Sequence, residues 1–124
     1  MSAGFYVPEA CWGYVDHRRR LFRPDACCTE CGIAEPIVLV FRSRPLVCQA
    51  CRLERLTGRR TELHHVGGRP SSLIVEVDAN LHEWLSLYQY GWRGRLAPGS
   101  PEAVLCDLLL LYGMRLKERH GASA

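Results

Sequence analysis

Cys28-Thr29-Glu30-Cys31 and Cys48-Gln49-Ala50-Cys51 are two CxxC turns separated by sixteen residues. A CxxC turn aims two sulfurs at one point, and a hairpin between two such turns brings the pairs together. Four thiolates about 2.3 Å from a common centre make the tetrahedral shell that Zn²⁺ accepts. The spacing therefore predicts one zinc held by Cys28, Cys31, Cys48 and Cys51. With four protein ligands the shell has no open position, so its role is structural. A redox dithiol needs one pair rather than two. Cys27 could replace Cys28, but the turn geometry favours Cys28. Cys11 and Cys106 have no partner in register, and Cys106 reads as a core thiol.

Outward from this cluster, 124 residues leave room for one domain, with a terminal appendage. A core of that size folds with a net of only about 5–15 kcal/mol. A structural zinc supplies an apparent ~10–16 kcal/mol, enough to decide whether the chain folds. Net charge is +3, and of sixteen basic residues only Lys117 is not arginine. Arginine grips phosphate bidentately, although GC-rich coding yields the same bias. Residues 1–62 hold ten arginines against seven acids, and the remainder balances six against six. Any footprint for a polyanion therefore lies towards the N-terminus, at Arg18, Arg19, Arg20 and Arg23. The N-terminus shows no basic-then-apolar signal pattern. The most apolar stretch, Ala103 to Leu116, is broken by Asp107 and Arg115 and is too short to span a bilayer. Clustered cysteines without a secretory signal point to a cytoplasmic, reducing compartment and to metal rather than disulfides.

The pattern divides the chain into a basic arm over 1–26, a zinc-braced domain over 27–92 and a C-terminal helical segment over 93–124. In the arm, Trp12, Tyr14, Val15, Leu21 and Phe22 read as a strand or hairpin around the arginine run. Ile37 to Phe41 reads as a strand, and Arg52 to Thr57 as a short helix closed by Gly58. Glu62 to Val66 and Leu73 to Val77 are two further expected strands. Asp78 then caps a helix with Leu81, Trp84, Leu85 and Tyr88 on one face. Ser100 with Pro101 opens the last helix, which is apolar nearly all round.

The densest chemistry lies in Glu62-Leu63-His64-His65-Val66-Gly67-Gly68-Arg69, followed after a loop and a strand by Asn80-Leu81-His82. Adjacent strand residues point to opposite faces, so His64 and His65 share a task only where the strand ends. The glycine pair lets the backbone turn and permits close approach of a phosphate.

These residues resemble the HNH family of metal-dependent nucleases, whose unit is two strands and a helix around one divalent ion. The likeness covers ELHHVGGR and NLHEWLS, with CxxC pairs as a frequent brace, and extends from about Cys28 to Leu105. It implies an α+β fold: a zinc-knuckle or treble-clef-like unit with a ββα-metal motif and a C-terminal apolar helix. It implies His65 as general base, and His64 and His82 as ligands of Mg²⁺ or another divalent ion. Asn80 would brace the base-bearing loop or join the metal shell, and Arg69 would clamp the scissile phosphate. DNA is the implied partner, contacted by Arg18, Arg19, Arg20, Arg59 and Arg60, with 5′-phosphate and 3′-hydroxyl products. A histidine of near-neutral pKa suits water activation, and a divalent ion suits the charge on the leaving oxygen. One departure stands out. Many zinc-braced members carry CxxCH at the last histidine, where this chain has Asp78 and Leu81. Asp78 is thus a surrogate ligand or a cap.

Three alternatives compete. An inactive homologue would keep the same residues. A non-catalytic nucleic-acid reader could be a treble clef, since CQACRLERLTG resembles the second knuckle and helix of GATA-type fingers, or a ribbon-helix-helix dimer over Leu73 to Arg119. The latter would offer DNA Ser72, Ile74 and Glu76, poor groups for bases and phosphates. A protein-interaction adaptor would use the leucine-rich last helix, as would a homodimer or companion subunit; no membrane is expected.

Overall fold

The computed structural model describes residues 9–92 and 95–121; the beginning of the expected arm, and Arg93 and Gly94, lie outside the described residues. The fold is a small α+β unit. In chain order it contains α1 (Trp12–Arg20), α2 (Gln49–Thr57), β1 (Thr61–His65), β2 (Ile74–Asp78), α3 (Ala79–Gly91) and α4 (Pro101–Gly121). A single 3₁₀ turn, Glu9–Cys11, precedes α1.

The arm is helical, not a strand or hairpin. Its last turn holds His17, Arg18, Arg19 and Arg20, where positive charge opposes the partial negative charge of a helix C-terminus. Arg20 pairs with Asp16 one turn earlier at 2.6 Å. Arg18 reaches across to the Pro36 and Leu39 carbonyls at 3.1 and 2.6 Å. The guanidinium also lies over the Phe22 ring, 5.4 Å from its centroid. Part of the basic run is therefore consumed by fastening α1 to the cysteine hairpin.

Ile37 to Phe41 is also not a regular strand. Val38 and Leu39 donate to the Glu35 and Pro36 carbonyls, which bends the segment into turns. Only Leu39 forms a β-bridge, with Cys48. The hairpin closes through Val40 N–H to Val47 O at 2.9 Å and Gln49 N–H to Val38 O at 2.8 Å. Ile37, Val38, Leu39 and Val47 are buried here, so this apolar run serves as core without a ladder.

The remaining elements follow their local signals. Gly58, at φ 78°, ends α2 in the left-handed conformation that glycine adopts freely. β1 and β2 pair antiparallel, with His64 opposite Val75 and Glu62 opposite Val77. Alternation puts Glu62, His64, Val75 and Val77 on the inner face and Leu63, His65, Ile74 and Glu76 on the outer. β2 pairs with β1 of its own chain, whereas a ribbon-helix-helix dimer pairs its strand with that of a second copy. Asp78 caps α3 by accepting Asn80 N–H at 2.9 Å, and Leu81, Trp84, Leu85 and Tyr88 are buried as the periodicity predicts. Ser100 Oγ accepts Ala103 N–H at 3.2 Å at the start of α4. No described helix is long and apolar enough to cross a membrane.

Between β1 and β2, Gly67 has φ 82°, and a Cβ there would lie 2.7 Å from the Val104 nitrogen. The close approach that the glycine permits is therefore that of α4. Gly67→Ala is expected to cost about 2–4 kcal/mol, combining left-handed strain with overpacking. Gly58→Ala, with nothing within 4 Å of its Cβ, should cost about 1 kcal/mol. Urea unfolding of both variants tests this; equal losses would place α4 elsewhere.

Candidate functional site

The sulfurs of Cys28, Cys31, Cys48 and Cys51 all lie within 4.8 Å of one another. Cys31 Sγ and Cys48 Sγ are 3.8 Å apart, and two sulfurs on one tetrahedral zinc are separated by about 3.8 Å when each bond is about 2.3 Å. The donor set therefore fits zinc. Cys27 is exposed and outside the cluster. Cys48 is the N-cap of α2, and its sulfur accepts Cys51 N–H at 3.5 Å. Arg60 Nη1 donates to Cys51 Sγ at 3.4 Å. Burial pushes the Cys28 thiol up, but hydrogen bonds from the Cys31, Cys48 and Glu30 backbones outweigh it and bring it down to about 6. Burial pushes the Cys51 thiol up to about 12, with the neighbouring sulfurs adding to it and Arg60 opposing. Four sulfurs this close resist ionising together, and a divalent cation relieves that repulsion.

The second cluster lies between β1, α3 and α4. His64 is 1% exposed, and its ring meets that of His82 edge to face, with centroids 5.3 Å apart. His64 Nε2 is 2.8 Å from Asp107 Oδ2. The same oxygen accepts Gly67 N–H at 2.6 Å and Gln89 Nε2 at 2.7 Å. Asp107 Oδ1 is buried without a hydrogen-bond partner among the described residues. His82 Nδ1 lies 3.6 Å from Glu62 Oε2. Burial lowers the His82 pKa, against Glu62 and with His64. Glu83 beside it is raised by burial and by Glu62, with Arg18 opposing.

His64 and His82 are thus brought together, whereas the other expected site residues are placed differently. His65 is the last residue of β1, on the outer face, with Nδ1 3.5 Å from the Ser71 carbonyl oxygen. Asn80 Oδ1 accepts Ala50 N–H at 3.0 Å, tying α3 to the N-terminus of α2. Asp78 is a cap, as above, and Leu81 is core. Arg69 is exposed and lines a cleft of about 330 Å³ with Gln89, Tyr90, Trp92 and Pro98. Each arginine expected at nucleic acid has a partner within the chain. Besides Arg18 and Arg20, Arg19 pairs with Glu35 at 3.4 Å and Arg59 with Glu76 at 2.6 Å, while Arg60 holds Cys51. Exposed pairs such as those of Arg20 and Arg59 are worth only about 0–1 kcal/mol and exchange readily for phosphate; Arg18 and Arg60 are part of the fold.

Sequence reading missed Asp107, Gln89 and Glu62. Asp107 did carry a signal: it falls between Ala103 and Leu111 at helical spacing, a lone acid on an apolar face. Comparison with known proteins finds no matching family model, no matching curated protein and no matching solved structure.

Removing zinc with a strong chelator should unfold the chain or leave it molten, and Cys48→Ser should reproduce that effect; metal analysis and circular dichroism check both. Asp107→Ala should destabilise by about 3–5 kcal/mol, because it orphans two buried polar groups, the His64 ring and the Gly67 N–H. Thermal and denaturant melts would show it, and a loss below about 1 kcal/mol would contradict the buried network.

Proposed function

We propose that the chain is a divalent-ion-dependent endonuclease of the HNH type acting on DNA, braced by a structural zinc. The observation that carries this reading is the ββα unit with the His64 and His82 rings in contact between sheet and helix. Each ring has one nitrogen turned to a carboxylate, Nε2 of His64 to Asp107 and Nδ1 of His82 to Glu62. A carboxylate behind one imidazole nitrogen is the usual support for a metal ligand at the other. The orphaned Asp107 oxygen adds a local demand for positive charge. In this reading the ring nitrogens turned away from the carboxylates, on His64 and His82, would hold the divalent ion. No third His, Cys, Asp or Glu ligand atom gathers there among the described residues. When bound, such an ion stabilises negative charge on the phosphate and leaving oxygens.

In this reading His65, the last residue of β1 and on its outer face, is the general base. The Ser71 carbonyl orients Nδ1, leaving Nε2 to accept a proton from the attacking water. The water oxygen bonds to phosphorus, the bond to O3′ breaks and O3′ takes a proton from solvent. That leaves the 5′-phosphate and 3′-hydroxyl ends expected of the family resembled. Arg69, exposed at the cleft beside Gly67 and Gly68, is the candidate for holding the phosphate.

A second reading, a non-catalytic zinc module that binds nucleic acid, is favoured by one observation. His64 is almost wholly buried in a hydrogen-bonded lock that is self-sufficient as structure. Supercoiled plasmid incubated with the zinc-loaded protein and Mg²⁺ or Mn²⁺ separates the two. Nicking should need the ion, and His65→Ala should slow it by about 10²–10⁴-fold while zinc content and circular dichroism stay unchanged. Binding without cleavage, indifferent to His65→Ala, would identify a reader. No affinity for nucleic acid would identify an interaction adaptor.

A further inference from the structure

Helix α4 has two apolar faces. Ala103, Asp107, Leu111 and Met114 recur at helical spacing and are buried against the body of the protein. On the other side Leu105 is 58% exposed, Leu108 37%, Leu109 61% and Tyr112 64%. These four fall at the three-and-four spacing of a helix–helix seam, and together they make a continuous stripe where isolated exposed leucines would need no explanation.

We propose that this stripe pairs with α4 of a second copy of the chain, antiparallel, about a two-fold axis passing between Leu108 and Leu109. The seam is complementary to itself in that arrangement. Leu105 faces Tyr112 of the other copy, Leu108 faces Leu109, and Pro101 at one end meets Leu116 at the other, each pairing occurring twice as a two-fold axis requires. The charges select the direction. Glu102 stands at the start of the helix, and Arg115 and Lys117 stand near its end, all three exposed. An antiparallel copy sets acidic end against basic end and opposes the helix dipoles, whereas a parallel copy stacks like on like. The helix is 21 residues long, about 31 Å at 1.5 Å per residue. One seam of that length forms the apolar centre of an interface at the small end of the usual range, about 600 Å² per partner, so the dimer is concentration-dependent. None of this uses the chemistry of His64 and His82, and it stands or falls separately from the nuclease reading.

Sedimentation velocity of the full, zinc-loaded chain from about 1 to about 200 µM tests it. The mass should rise from monomer to dimer across the series. Leu109→Glu should weaken dimerisation at least about tenfold, with zinc content and circular dichroism unchanged, because the side chain it alters is exposed. Leu56→Glu, at a position 70% exposed on α2, should leave dimerisation as it is. Lys117 is the chain's one lysine. Two copies paired antiparallel hold their Lys117 residues about 25 Å apart along the axis, beyond a short amine-reactive crosslinker, while a parallel pair holds them side by side. A monomer at every concentration, or a Leu109→Glu variant that dimerises like the wild type, overturns the second copy as occupant. A Lys117–Lys117 crosslink overturns the antiparallel arrangement.

Discussion

Four sulfur atoms competing for one centre set the constraint on which the N-terminal two-thirds of this protein depends. Between the CxxC pairs the backbone forms turns and a single β-bridge, too little pairing to hold a hairpin in water. A metal ion held by these four sulfurs would supply what the ladder does not, and for zinc that is an apparent ~10–16 kcal/mol. From the cluster the order spreads through named contacts. Cys48 begins α2, Arg60 runs from Cys51 towards Asp78, Asp78 caps α3, and Asn80 returns to the amide of Ala50. The same cluster that closes the hairpin thereby orients the helix carrying His82.

Asp107 provides the second brace. A buried carboxylate is costly unless its charge is met, and here one oxygen gathers His64, Gly67 and Gln89. Those three residues belong to β1, the turn after it and α3, so α4 docks in one register only. Gly67 completes the fit, since Val104 occupies the space any side chain would need. Helix α4 is thus part of the histidine cluster as well as a cover for the core. The ring that the nuclease reading makes a ligand is oriented by a residue from the far end of the chain.

Much of the local structure was legible because its causes are local. Gly58 ends α2, Asp78 caps α3, Ser100 caps α4, and the periodicity of Leu81, Trp84, Leu85 and Tyr88 marks a buried face. The two misread segments share one cause. Residues 12–22 and 37–41 have the apolar content of strands, but Arg18 joins them by donating from α1 to the carbonyls of Pro36 and Leu39. With those carbonyls satisfied by a guanidinium, and the backbone of α1 bonded within its own helix, neither segment needs a strand partner. Of the glycine pair, Gly67 makes room for the protein's own α4 and Gly68 for the loop at Pro98 and Gly99, contacts that the local sequence does not announce.

The amino-acid sequence by itself determined the sulfur ligand set, the order of strand, strand and helix, and the buried face of α3. Spacing along the chain is enough to specify each of these. Only the tertiary structure decided that Asn80 serves α2, that His64 leans on Asp107, and that the arginines expected at nucleic acid are paired within the chain. His64 and Asp107 are 43 residues apart, and a contact over that separation leaves no periodic trace. It exists because two elements, each shaped by local rules, bury a polar group on each side and must satisfy both together.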